Sequence, residues 1–250
     1  MTDSPATPDT TIPLDIVIPV FNEGTNIINV LESFRLHVKT PYRVLICYDF
    51  EEDNTLEALR SYDSATCEII PVKNTGRGPH AAILTGFKAS TASAVLVFPA
   101  DDLYNAGIID ALFAKHAQEN CEVVAASRFM PGGRMEDCPW LKSVLVRTAS
   151  FTLYYIGRLP VHDATNGLRL FSRRTLDTIQ IESSKGFVYS LELLVKVHRL
   201  GWKIGEVPSV WIERKRHQGK SRFKVSEWLT AYLHWYLYGL ATTFLRKREL

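Results

Sequence analysis

The feature that most constrains this chain is a rhythm in its first hundred residues. Four short, apolar, β-branched runs, at 14–20, 43–49, 68–72 and 94–98, alternate with segments at 26–38, 51–62 and 81–90 that carry helical spacing. Each junction is a short loop. Runs of that composition read as strands covered on both faces. Strands alternating with helices over short connections build a mostly parallel central sheet with helices on both faces, an α/β fold. Sheets of this kind bind ligands beyond the carboxyl ends of their strands.

The polar residues follow the same rhythm. Asn22 and Glu23 come after the first run, and Asp49 ends the second. Arg77 sits between Gly76 and Gly78 after the third, and Asp101 and Asp102 follow the fourth. All of them fall on one rim. Two adjacent acids at a strand end suit a hard divalent cation that holds phosphate oxygens. They equally suit a solvated turn, with an Asx cap for a helix starting near Asn105. Asp49 fits hydrogen bonds to a base or ribose, or a helix cap. Arg77 fits a clamp over a bound base, or a solvated turn.

The second half is less regular. Helical patterns cover 108–118, 141–157 and 186–200, and strands 122–126, 168–171, 203–207 and 210–213. Arg128, Arg169, Arg214, Arg216, Lys220 and Arg222 are candidates to neutralise phosphate oxygens. Asp163, beside His162 in a polar turn, reads as a partner behind a metal, a general base or an Asx-turn former. Glu192 reads as a core acid with a partner, and His162, His217 and His234 as structural. The last helical pattern, 225–245, is apolar around most of its circumference and is followed by Arg246-Lys247-Arg248. Such a helix lies in a membrane interface, packs on protein or spans. It is short of the ~20 uninterrupted apolar residues a span requires.

Length and charge bound the rest. The 250 residues suffice for one large domain, expected over 13–224. A Pro/Thr/Asp-rich leader over 1–12, expected to be disordered, precedes it, and the apolar helix with its basic end occupies 225–250. A net charge of +2 gives no ground for nucleic-acid binding. The four cysteines form no C-x-x-C pair, so they read as reduced thiols of a cytoplasmic protein rather than zinc ligands.

In order, the chain carries Ile18-Pro19-Val20-Phe21-Asn22-Glu23, Tyr48-Asp49 with Asp53-Asn54-Thr55, Gly76-Arg77-Gly78 and Ala100-Asp101-Asp102. This series resembles family 2 glycosyltransferases of the GT-A fold. Four later stretches look like the dolichol-phosphate mannosyltransferase branch: Ser127-Arg128-Phe129 with Gly132-Gly133, Asp163-x-Thr165-Asn166-Gly167-Leu168-Arg169, Gly186-Phe187 with Glu206-Val207-Pro208, and Gly219-Lys220-Ser221-Arg222-Phe223. The resemblance implies a nucleotide-diphospho-sugar donor, Mg²⁺ or Mn²⁺ on the D-x-D acid, and inversion at the anomeric carbon. It implies a polyprenyl (dolichyl or undecaprenyl) phosphate acceptor, and peripheral attachment at the cytoplasmic face of a membrane. By matching position, Pro19, Phe21, Glu23, Asp49, Arg77 and Gly78 would contact the nucleotide. Asp101 or Asp102 would bind the metal. Arg128, Arg169, Arg214, Lys220 and Arg222 would face the donor diphosphate and the acceptor phosphate. Asp101, Asp163 and Arg169 form the candidate catalytic set.

The chain departs from the pattern at Pro99-Ala100, where the first D-x-D acid would stand, and at Asp49-Phe50-Glu51-Glu52. A nucleotidyltransferase making nucleotide sugars would carry a glycine-rich, lysine-ending loop after the first strand, where Phe21-Asn22-Glu23-Gly24 stands. A catalytically silent GT-A-like module recruiting partners to membranes is the other alternative. An ionised lipid phosphate needs no strong base, whereas a sugar hydroxyl acceptor would, and Asp163 is then the first candidate.

Overall fold

The computed structural model describes residues 12–63, 67–212 and 225–244. The four early runs form β1 (Leu14–Pro19), β2 (Tyr42–Tyr48), β3 (Glu68–Lys73) and β4 (Ala94–Val97). Between them lie α1 (Asn26–His37), α2 (Asn54–Arg60) and α3 (Gly78–Ala89). Then follow α4 (Ile109–Glu119), β5 (Val123–Ser127), β6 (Arg134–Glu136), α5 (Trp140–Tyr155), β7 (Arg169–Ser172) and α6 (Arg173–Thr178). The chain continues through α7 (Val188–Arg199), β8 (Ile204–Pro208), β9 (Val210–Ile212) and α8 (Val225–Phe244).

Seven strands make one sheet in the order β3-β2-β1-β4-β7-β5-β8. All neighbours run parallel except β7, which is antiparallel to both β4 and β5. β5 therefore points the same way as β4, and the ends of β1, β2, β3, β4, β5 and β8 share one rim. The loop entering β7 reaches that rim too. The sequence did not foretell a separate pair, β6 with β9, parallel through Arg134↔Val210.

Alternate strand residues face opposite sides. Ile16 and Ile18 of β1 pack with Ile27, Leu31 and Phe34 of α1. Val17, on the other face, packs with Ile83 and Phe87 of α3, with α7, and with Trp235 of α8. Gly86 lets α3 lie close to the sheet: a Cβ there would stand 2.5 Å from Val17 Cγ1 and 2.8 Å from Cys47 Sγ. At the opposite end of the sheet, buried Asp15 receives Arg43 through two hydrogen bonds of 2.9 and 3.0 Å and Ser90 Oγ at 2.7 Å. Burial alone would raise this carboxyl, but those bonds hold it below its ordinary value.

Two element expectations are corrected. α2 starts at Asn54 rather than 51, because Asp53 caps it by accepting from Thr55 N at 2.9 Å. α3 starts at Gly78, with Pro79 in its first turn, so Arg77 is its N-cap residue. The last helix packs on the domain over the part whose side chains are described. Trp235 is 4% exposed, Gly239 abuts Leu153 and Val195, and the Thr152 and Tyr236 hydroxyls meet at 2.8 Å. No helix among the described residues is long and apolar enough to cross a membrane. The expected leader up to residue 11, Arg214, Arg216, His217, Lys220, Arg222 and Arg246–Arg248 lie outside the described residues.

Candidate active site

The loop leaving β1 is held by the start of α2. Asn22 N donates to Asp53 Oδ2 (3.0 Å), Glu23 N to Thr55 Oγ1 (3.0 Å) and Gly24 N to Asn54 Oδ1 (2.8 Å). This fixes Pro19, Phe21 and Glu23 on the rim. Phe21 is exposed and sits edge-on to Phe50, with ring centroids 5.4 Å apart. Asn26 Nδ2 bridges Glu23 Oε2 (3.3 Å) and the Ala100 carbonyl (3.2 Å), so the β1 loop and the Asp101 turn are joined.

Asp49 spends its carboxylate on protein. Oδ1 accepts from Asn74 Nδ2 at 2.6 Å and Oδ2 from Gly78 N at 2.9 Å. It therefore serves an orphan N–H at the start of α3 from across the sheet and holds the loop that carries exposed Arg77. Asn74, which the sequence reading passed over, is the hinge of that loop: its Oδ1 also accepts from Gly76 N (2.9 Å) and Thr85 Oγ1 (3.2 Å). An Asn two residues before a glycine is the Asx-turn signal that could have found it. A cleft of about 400 Å³ opens between Arg77–His80 and Ser184–Gly186. Burial holds the His80 imidazole below its ordinary pKa.

The two acids after β4 part company. Asp102 is buried: Oδ1 accepts from Tyr104 N (2.9 Å) and Asn105 N (3.0 Å), and Oδ2 from Asn105 Nδ2 (2.6 Å). Asn105 in turn bridges both backbone groups of Val210. Burial pushes the Asp102 carboxyl up. Asp102 thus makes an Asx turn, while the 3₁₀ turn that follows at Ala106–Ile108 and α4 have no side-chain cap, and its carboxylate is engaged by protein donors. Asp101 stays partly exposed on the rim. No group of three or more His, Cys, Asp or Glu that could hold a metal occurs among the described residues. One oxygen donor does suit a hard divalent cation completed by substrate phosphates and water.

At the end of β5, Arg128 is gripped by Asp163. Its Nε meets Oδ2 at 2.6 Å, Nη2 meets Oδ1 at 3.0 Å, and the Arg128 N–H also donates to Oδ2 (3.1 Å). Nη2 reaches Thr165 Oγ1 as well (2.7 Å), and Nη1 lies 3.9 Å from the Met135 sulfur, a weak acceptor. Asp163 is 0% exposed and also accepts from Thr165 N (3.0 Å) and Asn166 N (3.2 Å). Burial would raise its carboxyl, but the Arg128 charge and these hydrogen bonds hold it low. An acid so engaged cannot take a proton from a substrate, so its general-base reading gives way to holding Arg128. Gly133 is required beside it: a Cβ would stand 2.3 Å from Ser127 O.

Arg169 does not reach the rim surface. It is 0% exposed, with Nη1 on Ser190 O and Nη2 on Ala164 O at 3.3 Å, and burial pulls its pKa down to about 10. Its assignment to the donor diphosphate is corrected on that ground. Glu192 has the partner expected of a core acid, Lys196 Nζ at 2.8 Å, and also accepts from Glu182 N and Ser183 N. His162 pairs with Glu206 and stacks on Tyr154, with centroids 4.2 Å apart.

The family model for glycosyl transferase family 2 matches residues 15–180, which include every described rim residue named above except Ser184–Gly186 and Val210. The chain belongs to glycosyl transferase family 2. This family 2 glycosyltransferase is 26% identical over 246 residues to the polyprenol monophosphomannose synthase of Mycolicibacterium smegmatis, covering 90% of each chain. It is 29% identical over 106 residues to the undecaprenyl-phosphate mannosyltransferase of Micrococcus luteus, covering 42% of this chain and 44% of that one. Among solved structures it resembles Mycobacterium tuberculosis glucosyl-3-phosphoglycerate synthase with Mn²⁺, UDP-glucose and phosphoglyceric acid. There the TM-score is 0.65 at 15% identity, over 95% of this chain and 82% of that one. The same enzyme with Mg²⁺ and UDP gives a TM-score of 0.62. At that identity the likeness shows the fold, GT-A.

Proposed function

We propose that this glycosyltransferase moves a sugar from a nucleotide-diphospho-sugar to a polyprenyl phosphate, at the membrane face where such a lipid resides. Its similarity along almost its whole length to a polyprenol monophosphomannose synthase supports the acceptor class. The observation that carries the reading is the Asp163–Arg128 clamp. The acid best placed to act as a base is spent on aiming a guanidinium. Deprotonating a sugar hydroxyl would require a free base on this rim. A phosphate monoester is already ionised near neutral pH and needs none.

In this reading an acceptor phosphate oxygen attacks the anomeric carbon as the bond to the donor's phosphate oxygen breaks. The bond electrons leave with the nucleoside diphosphate, and the anomeric centre inverts. Pro19, Phe21, Glu23, Arg77 and Gly78 line the nucleotide end, with Asp49 holding the Arg77 loop. Arg128 faces the phosphates, and the resemblance assigns the same role to Arg214, Lys220 and Arg222, which lie outside the described residues. Mg²⁺ or Mn²⁺, held by Asp101, would supply charge neutralisation for the leaving diphosphate. Rate then comes from alignment and preorganised positive charge.

The test is transfer from GDP-mannose and UDP-glucose to polyprenyl phosphate by the full chain, with and without Mn²⁺. A lipid-linked sugar is expected, and Asp101→Asn should lower kcat by about 10²-fold or more. Native rates in Asp101→Asn, or donor binding without turnover, would overturn the reading; the latter outcome is the silent module.

A further inference from the structure

The large apolar side chains left in water are not scattered. Of the thirteen exposed ones among the described residues, seven belong to α5 and its C-cap: Trp140, Leu141, Val144, Leu145, Phe151, Tyr155 and Ile156. Trp140 is 76% exposed, Phe151 60% and Tyr155 63%. Their spacing is that of one helix face. The opposite face is covered, with Ser150 and Leu153 buried, and α8 meets the helix beside the stripe, where Thr152 bonds Tyr236. α8 adds exposed Leu233 and Leu237, one turn apart. A water-facing helix normally turns its charges outward. An apolar face of this extent marks a docking surface.

We infer that the outer face of α5 lies in the headgroup region of an anionic lipid bilayer and is the surface by which the enzyme meets its membrane. The inference deepens the lipid-acceptor reading and rests on it. Charge selects the occupant. From Cys138 through His162 the chain carries no acid, while Lys142, Arg147 and Arg158 are cationic. A second copy docked face to face would set these cations against their own images. Anionic headgroups complement them. Trp140 and Tyr155 stand at the two ends of the helix, and these residue types favour the water–lipid boundary.

The same helix is tied to the site. Phe129 has Arg147 over its ring at 4.8 Å and Arg128 at 5.1 Å. Lys142 lies 5.3 Å from the Trp211 ring. Arg147 is exposed and lies three residues after Val144 and four before Phe151, so it borders the apolar stripe while its guanidinium covers Phe129. Phe129 thus stands between Arg147 of α5 and Arg128 at the end of β5.

The experiment is flotation of the full chain with vesicles of phosphatidylglycerol and phosphatidylcholine, against phosphatidylcholine alone. Wild type should float with the anionic vesicles and less with the neutral ones. Leu141→Ser/Leu145→Ser/Phe151→Ser should lower the partition coefficient by about tenfold or more, since each change removes apolar area from the lipid boundary. Its circular dichroism should stay native, because all three positions are exposed. Transfer to a short-chain, water-soluble polyprenyl phosphate should also be unchanged. The inference is overturned if wild type ignores anionic vesicles or if the triple variant floats as wild type does. It is overturned as well if light scattering shows a dimer that the triple change dissolves while flotation persists. Vesicle binding by α5 without transfer to either acceptor in wild type would sink the acceptor reading while leaving the docking surface standing.

Discussion

Replacing Asp163 by Asn tests the site and its energetics together. The substitution keeps an oxygen at Oδ1 for Thr165 N, Asn166 N and Arg128 Nη2. It turns an amide N–H₂ toward Arg128 Nε and the Arg128 N–H, so donors face donors where 2.6 and 3.1 Å hydrogen bonds stood. The side chains are 6% and 0% exposed, so water cannot repair the loss. Removing one partner of a buried pair costs about 3–5 kcal/mol. For a chain of this size that corresponds to a melting temperature lower by about 6–20 °C. Urea unfolding followed by circular dichroism measures it. The sign with pH is fixed: a carboxyl held below its ordinary 3.8 contributes stability that is full above that value. The gap between wild type and variant should therefore be constant from neutral pH to about 5 and close as pH falls through the folded-state value. Arg128→Met/Asp163→Leu should regain most of the stability and none of the activity. A loss under about 1 kcal/mol, the range of an exposed pair, would refute the reasoning. So would a fully stable Asp163→Asn whose transfer is abolished while Arg128→Lys remains active, since that pattern belongs to a base.

Two further outcomes follow from the corrected assignments. Asn74→Ala should raise the donor KM about tenfold with kcat nearly unchanged, because hydrogen bonds worth about 1.5 kcal/mol hold the Arg77 loop; steady-state kinetics on the donor checks it. Arg169→Ala should cost about 3 kcal/mol of stability through the cavity and the freed carbonyls of Ser190 and Ala164. Its kcat/KM per folded molecule should stay close to that of wild type, and a large kinetic loss at full stability would return Arg169 to the substrate.

The early half of the fold was legible because its signals are local. An apolar run, a helical stripe and a short loop repeat within some thirty residues, and β1 to β4 appear within a residue or two of where the pattern puts them. The second half depends on pairings that no local pattern announces. β6 is three residues with no apolar run, and it exists because β9 lies beside it. The antiparallel entry of β7 between β4 and β5 is a fact of topology, read only from register. Asp15 and Arg43 become a pair only once β1 and β2 align them opposite one another.

The site shows the same limit one level down. A carboxylate at a strand end is the same residue whether it meets a ligand or a backbone N–H. Asp49, Asp102 and Asp163 were all found on the correct rim, yet each is spent on protein: on Gly78, on Asn105 and on Arg128. Arg169 carried a usable warning, since it stands between Leu168 and Leu170 in a strand that is buried throughout. The surroundings of the last helix stayed open in the same way: packing on protein was one of three readings, Trp235 and Gly239 show it over the described part of α8, and the outer face of α5 stays exposed. What covers a residue is decided by the elements that fold beside it.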